Sequence, residues 1–402
     1  MKRIFKIISI TILILLSVSV FAIFTQYRNY KKLETVKFNN SFVKDTIPFY
    51  YSNSGHILID VSIQGSKKTY PFILDSGASN MVFNPNINKF NFESNGYAIG
   101  KGASGNYFLS KIKKINSINI RSLKLKNFNA QEINHNFDCM QNIYGIIGLG
   151  LMHNFNWQID FKNKIIIVTK TLENLNLGNH KIELKLKENQ FSHHLELPIK
   201  LASKASSTKV KIDLGNNGNL SIEESEMYRD SLNLRFKKII GTQLSGLGQK
   251  EFSMSKEKKY LSDTLILNSN FEILNFSFST NPNSLNLLGL GFFKKFKTTV
   301  SWPNKLLILE PYDQQSNFVD KTFGFDISYD KNGDIIINSI IENTPATQNK
   351  LILNSKIISI NNIKNNLCVL KDILKKNDSV SLKLLSNNKI KEYKLEKKPL
   401  FE

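Results

Sequence analysis

Cysteine is nearly absent: Cys139 and Cys368 are the only two in 402 residues. Two thiols cannot make a disulfide scaffold or a cysteine-based metal site. They fall in different segments, so a bond between them is not expected, and Cys139 reads as a small buried hydrophobe. Histidine is also scarce, and His193-His194 is the one adjacent pair. Neighbours on a strand face opposite ways, which makes them poor joint ligands, so no metal or other cofactor is expected. Long helical periodicity is missing beyond the N-terminus, where only 223–234 and 369–375 suit short helices. Acidic residues are few, 33 against 54 basic, for a net charge of +21. The lysines are spread along the whole chain among Asn and Ile, without any nucleic-acid module. Nucleic acid is therefore not expected as a partner. Lysine-rich faces do suit an anionic membrane surface.

What is present begins at the N-terminus. Lys2, Arg3 and Lys6 precede an apolar run from Ile7 to Phe24. A positive segment before such a run predicts an export signal or an uncleaved anchor over 1–30. The charges favour a cytoplasmic N-terminus, which places the rest on the periplasmic or exterior side. Residues 31–46 read as a polar stalk. At 41% hydrophobic residues the remainder has material for sizeable cores in two to three domains.

From Ile47 the chain reads as short β segments. Ile57–Ile63 and Thr69–Leu74, divided by a Gly-Ser-Lys-Lys turn, form a hairpin whose second arm delivers Asp75-Ser76-Gly77-Ala78-Ser79. An ionisable group at the end of a buried strand is costly unless hydrogen-bonded or put to use. An Asp-Ser-Gly β-turn is the bland reading. The pattern recurs, however. Val210-Lys211-Ile212-Asp213-Leu214-Gly215 again runs from β-rich sequence into Asp-x-Gly, 138 residues on. Ile146-Ile147-Gly148-Leu149-Gly150 and Leu287-Leu288-Gly289-Leu290-Gly291 follow the two copies, 141 apart, and the segments after them align at the same offset. An internal repeat of this length governs the fold. Between the elements, the stretch around Gly96, Gly100, Gly102 and Gly105 suits either a mobile loop or an ordinary surface turn. The segment 241–248 occupies the matching interval of the second copy.

This arrangement resembles the pepsin/retropepsin-like aspartic peptidases, in particular bacterial exported proteins that join two such lobes to a C-terminal PDZ domain. The resemblance implies a mainly β, two-lobed acid-protease-like β-barrel fold followed by a PDZ domain. The lobes would span 47–170 and 171–312 and the PDZ domain 313–402, after a polar linker at 313–317. It implies Asp75 and Asp213 as the catalytic pair, with Ser76, Gly77, Gly215, Gly148 and Gly289 supporting them. It also implies a flap over bound peptide near 97–108. Phe323, Gly324, Phe325 and Ile327 resemble the PDZ carboxylate-binding loop and strand, which add a C-terminal peptide to a sheet edge. Leu214 departs from the family, where Thr or Ser supplies a hydroxyl that helps lock the two turns together.

Two facing carboxylates cannot both ionise at close range, so they share a proton. The ionised partner takes a proton from a water, and the protonated one hydrogen-bonds the scissile carbonyl oxygen. The expected activity is endopeptidase hydrolysis of a peptide or protein substrate. The alternative is a catalytically silent lobe pair that only binds peptides or partner proteins. A variant pairs Asp75 with Asp75 of a second chain.

Overall fold

The computed structural model describes all residues except 1, 40, 103–106, 135–138, 140–141, 202–205, 229–233, 243–256, 283–284, 314–317, 365 and 402. The described chain is mainly β, with one long helix, Lys2–Glu34, at the N-terminus. That helix is apolar enough to cross a membrane. It continues past the expected anchor, because Asn29 and Leu33 on its last turns are buried. Residues 31–46 are not a free stalk. Lys37–Phe38 pairs with the strand Leu123–Ile133, and Lys44–Pro48 with Ile165–Thr169. Leu33, Val36 and Phe42 lie among the charges of this stretch, and their burial ties it down.

The repeat is visible as architecture. In the first copy, Thr69–Leu74 runs parallel to Gly145–Ile147. In the second, Thr208–Asp213 runs parallel to Leu287–Gly289 in the same relation. Alternate residues of a strand share a face, so Phe72 and Leu74 fill a common interior with Val210 and Ile212, while Ile73 between them packs in a second apolar cluster on the opposite face. The copies meet in a six-stranded sheet where Asn156–Asp160 pairs antiparallel with Phe296–Ser301. Gln158 stands opposite Thr299, its own counterpart at the 141 offset, and donates to its hydroxyl at 3.3 Å. A residue paired with its own repeat equivalent marks a local two-fold axis.

The expected helix at 369–375 is present as Leu367–Lys376, capped by the Asn366 side chain. Of the helix expected at 223–234, Glu224–Tyr228 is formed; the rest falls largely outside the described residues, as do 314–317 of the expected linker. After residue 320 a second core forms around Ile327, Ile337, Ile360, Leu367 and Leu382. Its sheet joins the second repeat, since Ile239–Gly241 pairs with Ser339–Ile341.

A disulfide ties the same C-terminal unit to the first repeat. Contrary to the sequence expectation, Cys139 and Cys368 are bonded, their Cα atoms 5.1 Å apart across 229 residues of chain. Distance along the chain says nothing of distance in space, and the fold brings Cys139 beside the first turn of the helix Leu367–Lys376. Replacing Cys368 by Ser is expected to cost about 2–4 kcal/mol of stability. Denaturant titration with and without reductant checks this, since reductant should lower the parent's midpoint to that of Cys368→Ser and leave the variant unmoved.

Candidate active site

Each Asp-x-Gly turn starts where a buried strand ends. The Asp75 amide is held by Ile147 O at 3.0 Å, so the supporting Ile146-Ile147-Gly148 strand sets where the carboxyl emerges. Asp75 Oδ1 accepts from the Gly77 amide at 2.7 Å. Asp213 Oδ1 accepts from Gly215 at 2.8 Å and Asn216 at 3.0 Å. These local bonds orient both carboxyls identically with respect to their own turns.

The turns face each other. Asp75 and Asp213 are within hydrogen-bonding reach through their side chains. Burial, then the charge of Asp213, holds the Asp75 carboxyl well above the usual carboxylate range. Burial also raises Asp213, opposed by the Gly215 and Asn216 amides and the Lys211 charge. Such a pair retains one proton where isolated carboxyls have lost theirs.

Gly77 and Gly215 allow that approach. A Cβ on Gly77 would overlap the Asp213 carboxyl, and one on Gly215 would overlap that of Asp75. Gly148 and Gly289 lie against the backbone of the turns, at Ala78–Ser79 and Asn216–Gly218 respectively. Gly215→Ala is expected to cost about 1–3 kcal/mol by overpacking, read as a lowered thermal midpoint. Ser76 is fully buried and crosses between the copies. Its hydroxyl donates to Ile212 O at 2.9 Å and accepts from the Leu214 amide at 3.0 Å. Leu214, buried in the common core, makes no reciprocal hydroxyl bond.

A second cross-connection escaped sequence reasoning. His194 Nε2 donates to Gly77 O at 3.1 Å, while its Nδ1 accepts from Ser192 Oγ at 2.8 Å. His56 stands in the equivalent place on the other side: its Nδ1 meets Ser54 Oγ at 2.9 Å, its Nε2 lies 3.3 Å from Asn217 Nδ2, and the Gly215 backbone is beside it. His56 and His194 are 138 residues apart, as are Ser54 and Ser192, and as are Asp75 and Asp213. Even the residues between match in backbone, with φ of 96° at Gly55 and 56° at His193. Each copy thus sends a Ser-x-His turn to the other copy's Asp-x-Gly glycine. Burial pushes both imidazoles down to about 4, so they are neutral donors at ordinary pH. The signal is legible as Ser-x-His at the repeat offset, whereas His194 read beside His193 suggests only half of an adjacent pair. His193 indeed faces elsewhere, with Nδ1 2.7 Å from Glu188 and its ring stacked on His153. Among the described residues no cluster suited to a metal occurs.

The glycine-rich interval forms a hairpin, Glu93–Lys101 with Tyr107–Ile120, and Gly105 lies outside the described residues. Phe108 on its inner side packs against the apolar cluster that includes Leu58, Ile73 and Met81, as does Ala78 of the Asp75 turn. Lys211 beside Asp213 is lowered by burial and also by the Lys101 charge, which puts the hairpin close to the second copy. The matching interval of the second copy is described to Thr242; 243–248 lies outside.

Phe323 and Ile327 are buried in the C-terminal core, and Phe325 packs against it. Any peptide contact they make is through backbone. Gly324, at φ 87°, donates to Thr322 Oγ1 at 2.8 Å. Among the described residues the strand Phe325–Tyr329 has one partner, Ile335–Ile341, which leaves its other edge toward the helix Leu367–Lys376. Lys371 reaches across to Asp326 at 3.6 Å.

No protein-family model matches the chain, and no curated protein does. Among solved structures, it is similar to the aspartic proteinase from Irpex lacteus, at 11% identity and a TM-score of 0.42. The match covers 68% of this chain and 99% of that one.

Proposed function

We propose that this chain is a two-lobed aspartic endopeptidase, with Asp75 and Asp213 sharing a proton and activating a water between them. The observation that carries the reading is the reciprocal fit of two Asp-x-Gly turns from two copies of one repeat within a single chain. Each glycine lies against the other copy's carboxyl, and both carboxyls are raised. The ionised carboxylate takes a proton from the water as its oxygen attacks the peptide carbonyl. The protonated carboxyl hydrogen-bonds the carbonyl oxygen as it becomes tetrahedral. Collapse breaks the C–N bond, the amine leaving with a proton from the pair. Because Asp75 meets Asp213 of its own chain, no second chain is required.

In this reading the lobes are 47–170 and 171–312, with a PDZ-like unit at 313–402 that takes a C-terminal peptide at the free edge of Phe325–Tyr329. The apolar helix holds the lobes at the outer face of a membrane. A silent, binding-only version is favoured by one observation, the missing hydroxyl at Leu214.

The test is hydrolysis of an unbiased peptide library by the full chain in detergent, between about pH 4 and pH 8. Cleavage is expected, and cleavage at no pH would leave the binding-only version standing.

A further inference from the structure

The outward face of the hairpin over the candidate site is apolar and exposed. Tyr107 and Leu109 are 73% and 65% exposed, and Tyr97 and Ile99 stand beside them. The antiparallel register puts Ile99 opposite Leu109, Lys101 opposite Tyr107 and Tyr97 opposite Lys111, all on one face. A contiguous patch of this kind on a soluble surface calls for a partner. Its position names one.

The hairpin is fastened along the N-terminal helix in antiparallel sense. Asn95 O takes a bond from Lys32, Tyr97 O from Asn29, and the Ile99 amide donates to Gln26 Oε1. Going up the strand toward its tip therefore means going down the helix toward its apolar run. A strand advances about 3.3 Å per residue and a helix about 1.5 Å, so two strand residues match roughly four helical ones. Lys101 and Tyr107 thus lie level with about residue 22, inside the run that ends at Phe24. If the helix is in a bilayer, this face of the hairpin is at the bilayer boundary.

We propose that this face is a membrane-docking surface. Tyr107 and the stem of Lys101 reach the acyl boundary, Ile99 and Leu109 sit just above them at the interface, Tyr97 lies outermost at headgroup level, and the ammonium groups of Lys101 and Lys111 meet anionic phosphates. Lys101 already lies over the Tyr107 ring, at 5.6 Å, the pairing of cation and aromatic that suits an interface. The Asp75 turn, against whose apolar support the hairpin packs, is then held near the membrane surface. On the peptidase reading above, the substrates are chains tethered to or emerging from that membrane.

The docking itself is tested without hydrolysis, so it stands or falls separately from the peptidase reading. Tyr107→Trp and Leu109→Trp are made in the full chain and reconstituted into phosphatidylglycerol/phosphatidylcholine vesicles, with and without brominated acyl chains. The native Trp157 and Trp302 are buried and supply a constant background. Leu274→Trp, 64% exposed on the second copy, is the reference. Bromine is expected to cut the added emission at 107 and 109 and to blue-shift it, with no effect at 274. Quenching at 107 should weaken when phosphatidylglycerol is omitted or when Lys101 and Lys111 are both changed to Glu. Emission at 107 and 109 that ignores bromine as position 274 does would overturn the proposal. A blue shift without quenching would overturn it too, since another protein surface would then cover the face.

Discussion

Asp75→Asn and Asp213→Asn are each expected to reduce kcat/KM for peptide hydrolysis by roughly 10³-fold, the scale of a lost general acid–base partner. Neither substitution changes volume, and both keep an acceptor for the turn amides, so folding should survive and the loss should be chemical. Loss in Asp75→Asn alone would point to a pair built from two chains and would sink the assignment of Asp213. Undiminished cleavage in both would remove the proposed mechanism. An independent readout comes from stability. A carboxyl whose folded pKa lies above its unfolded value binds its proton more tightly in the native state. Its contribution is complete below the ordinary value of 3.8 and is lost as pH rises through the raised folded value. Asp75→Asn, which cannot ionise, should therefore be more thermally stable than the parent at neutral pH, with the gap closing toward that ordinary value. A gap of constant size across this range would mean that the pair is not proton-sharing.

His56→Phe and His194→Phe are expected to lower kcat by up to about 10²-fold with KM little changed, the cost of a misplacement near 1 Å at reacting groups. The imidazoles touch neither carboxyl. His194 holds the Gly77 carbonyl and His56 stands beside the Gly215 backbone, and each glycine lies against the opposite carboxyl. They are positioning residues. On the peptidase reading they would offset Leu214, since the cross-copy contacts of the two histidines supplement the single hydroxyl of Ser76. Gln at either position, which can still donate to a carbonyl, should restore most of the rate, whereas a purely space-filling role would favour Phe over Gln. Equal impairment by Gln and Phe would count against the donor role. Because burial lowers both imidazoles, the native state binds fewer protons than the unfolded one between about 4 and 6.5. Their contribution is present above 6.5 and falls as pH drops through that window. This slope opposes that of the carboxyl pair, and in His56→Phe/His194→Phe it should disappear.

The legible parts of the site share one property: they are local. Asp75-Ser76-Gly77 and Asp213-Leu214-Gly215 each follow an apolar run, so the strand–turn identity was written in adjacent residues. The repeat at 138 and 141 then implied that the two turns are equivalent. The Ser-x-His turns were equally present at the same offset. They were passed over because a hydroxyl and an imidazole carry no hydrophobic period, and their bonds run to residues over 100 positions away. The 31–46 stretch was misread for the opposite reason. Its charges dominate locally, while Leu33, Val36 and Phe42 acquire meaning only against surfaces supplied by distant strands.

By itself, then, the sequence determined the β character, the duplication, the apolar N-terminal segment and the two Asp-x-Gly turns. Each of these depends on periodicity or on neighbours along the chain. Only the tertiary structure decided that Cys139 bonds Cys368 and that the histidines cross between copies. It alone laid the glycine-rich hairpin along the end of the N-terminal helix. Those contacts join residues far apart in the chain, and nothing in their local composition states the distance at which folding will place them.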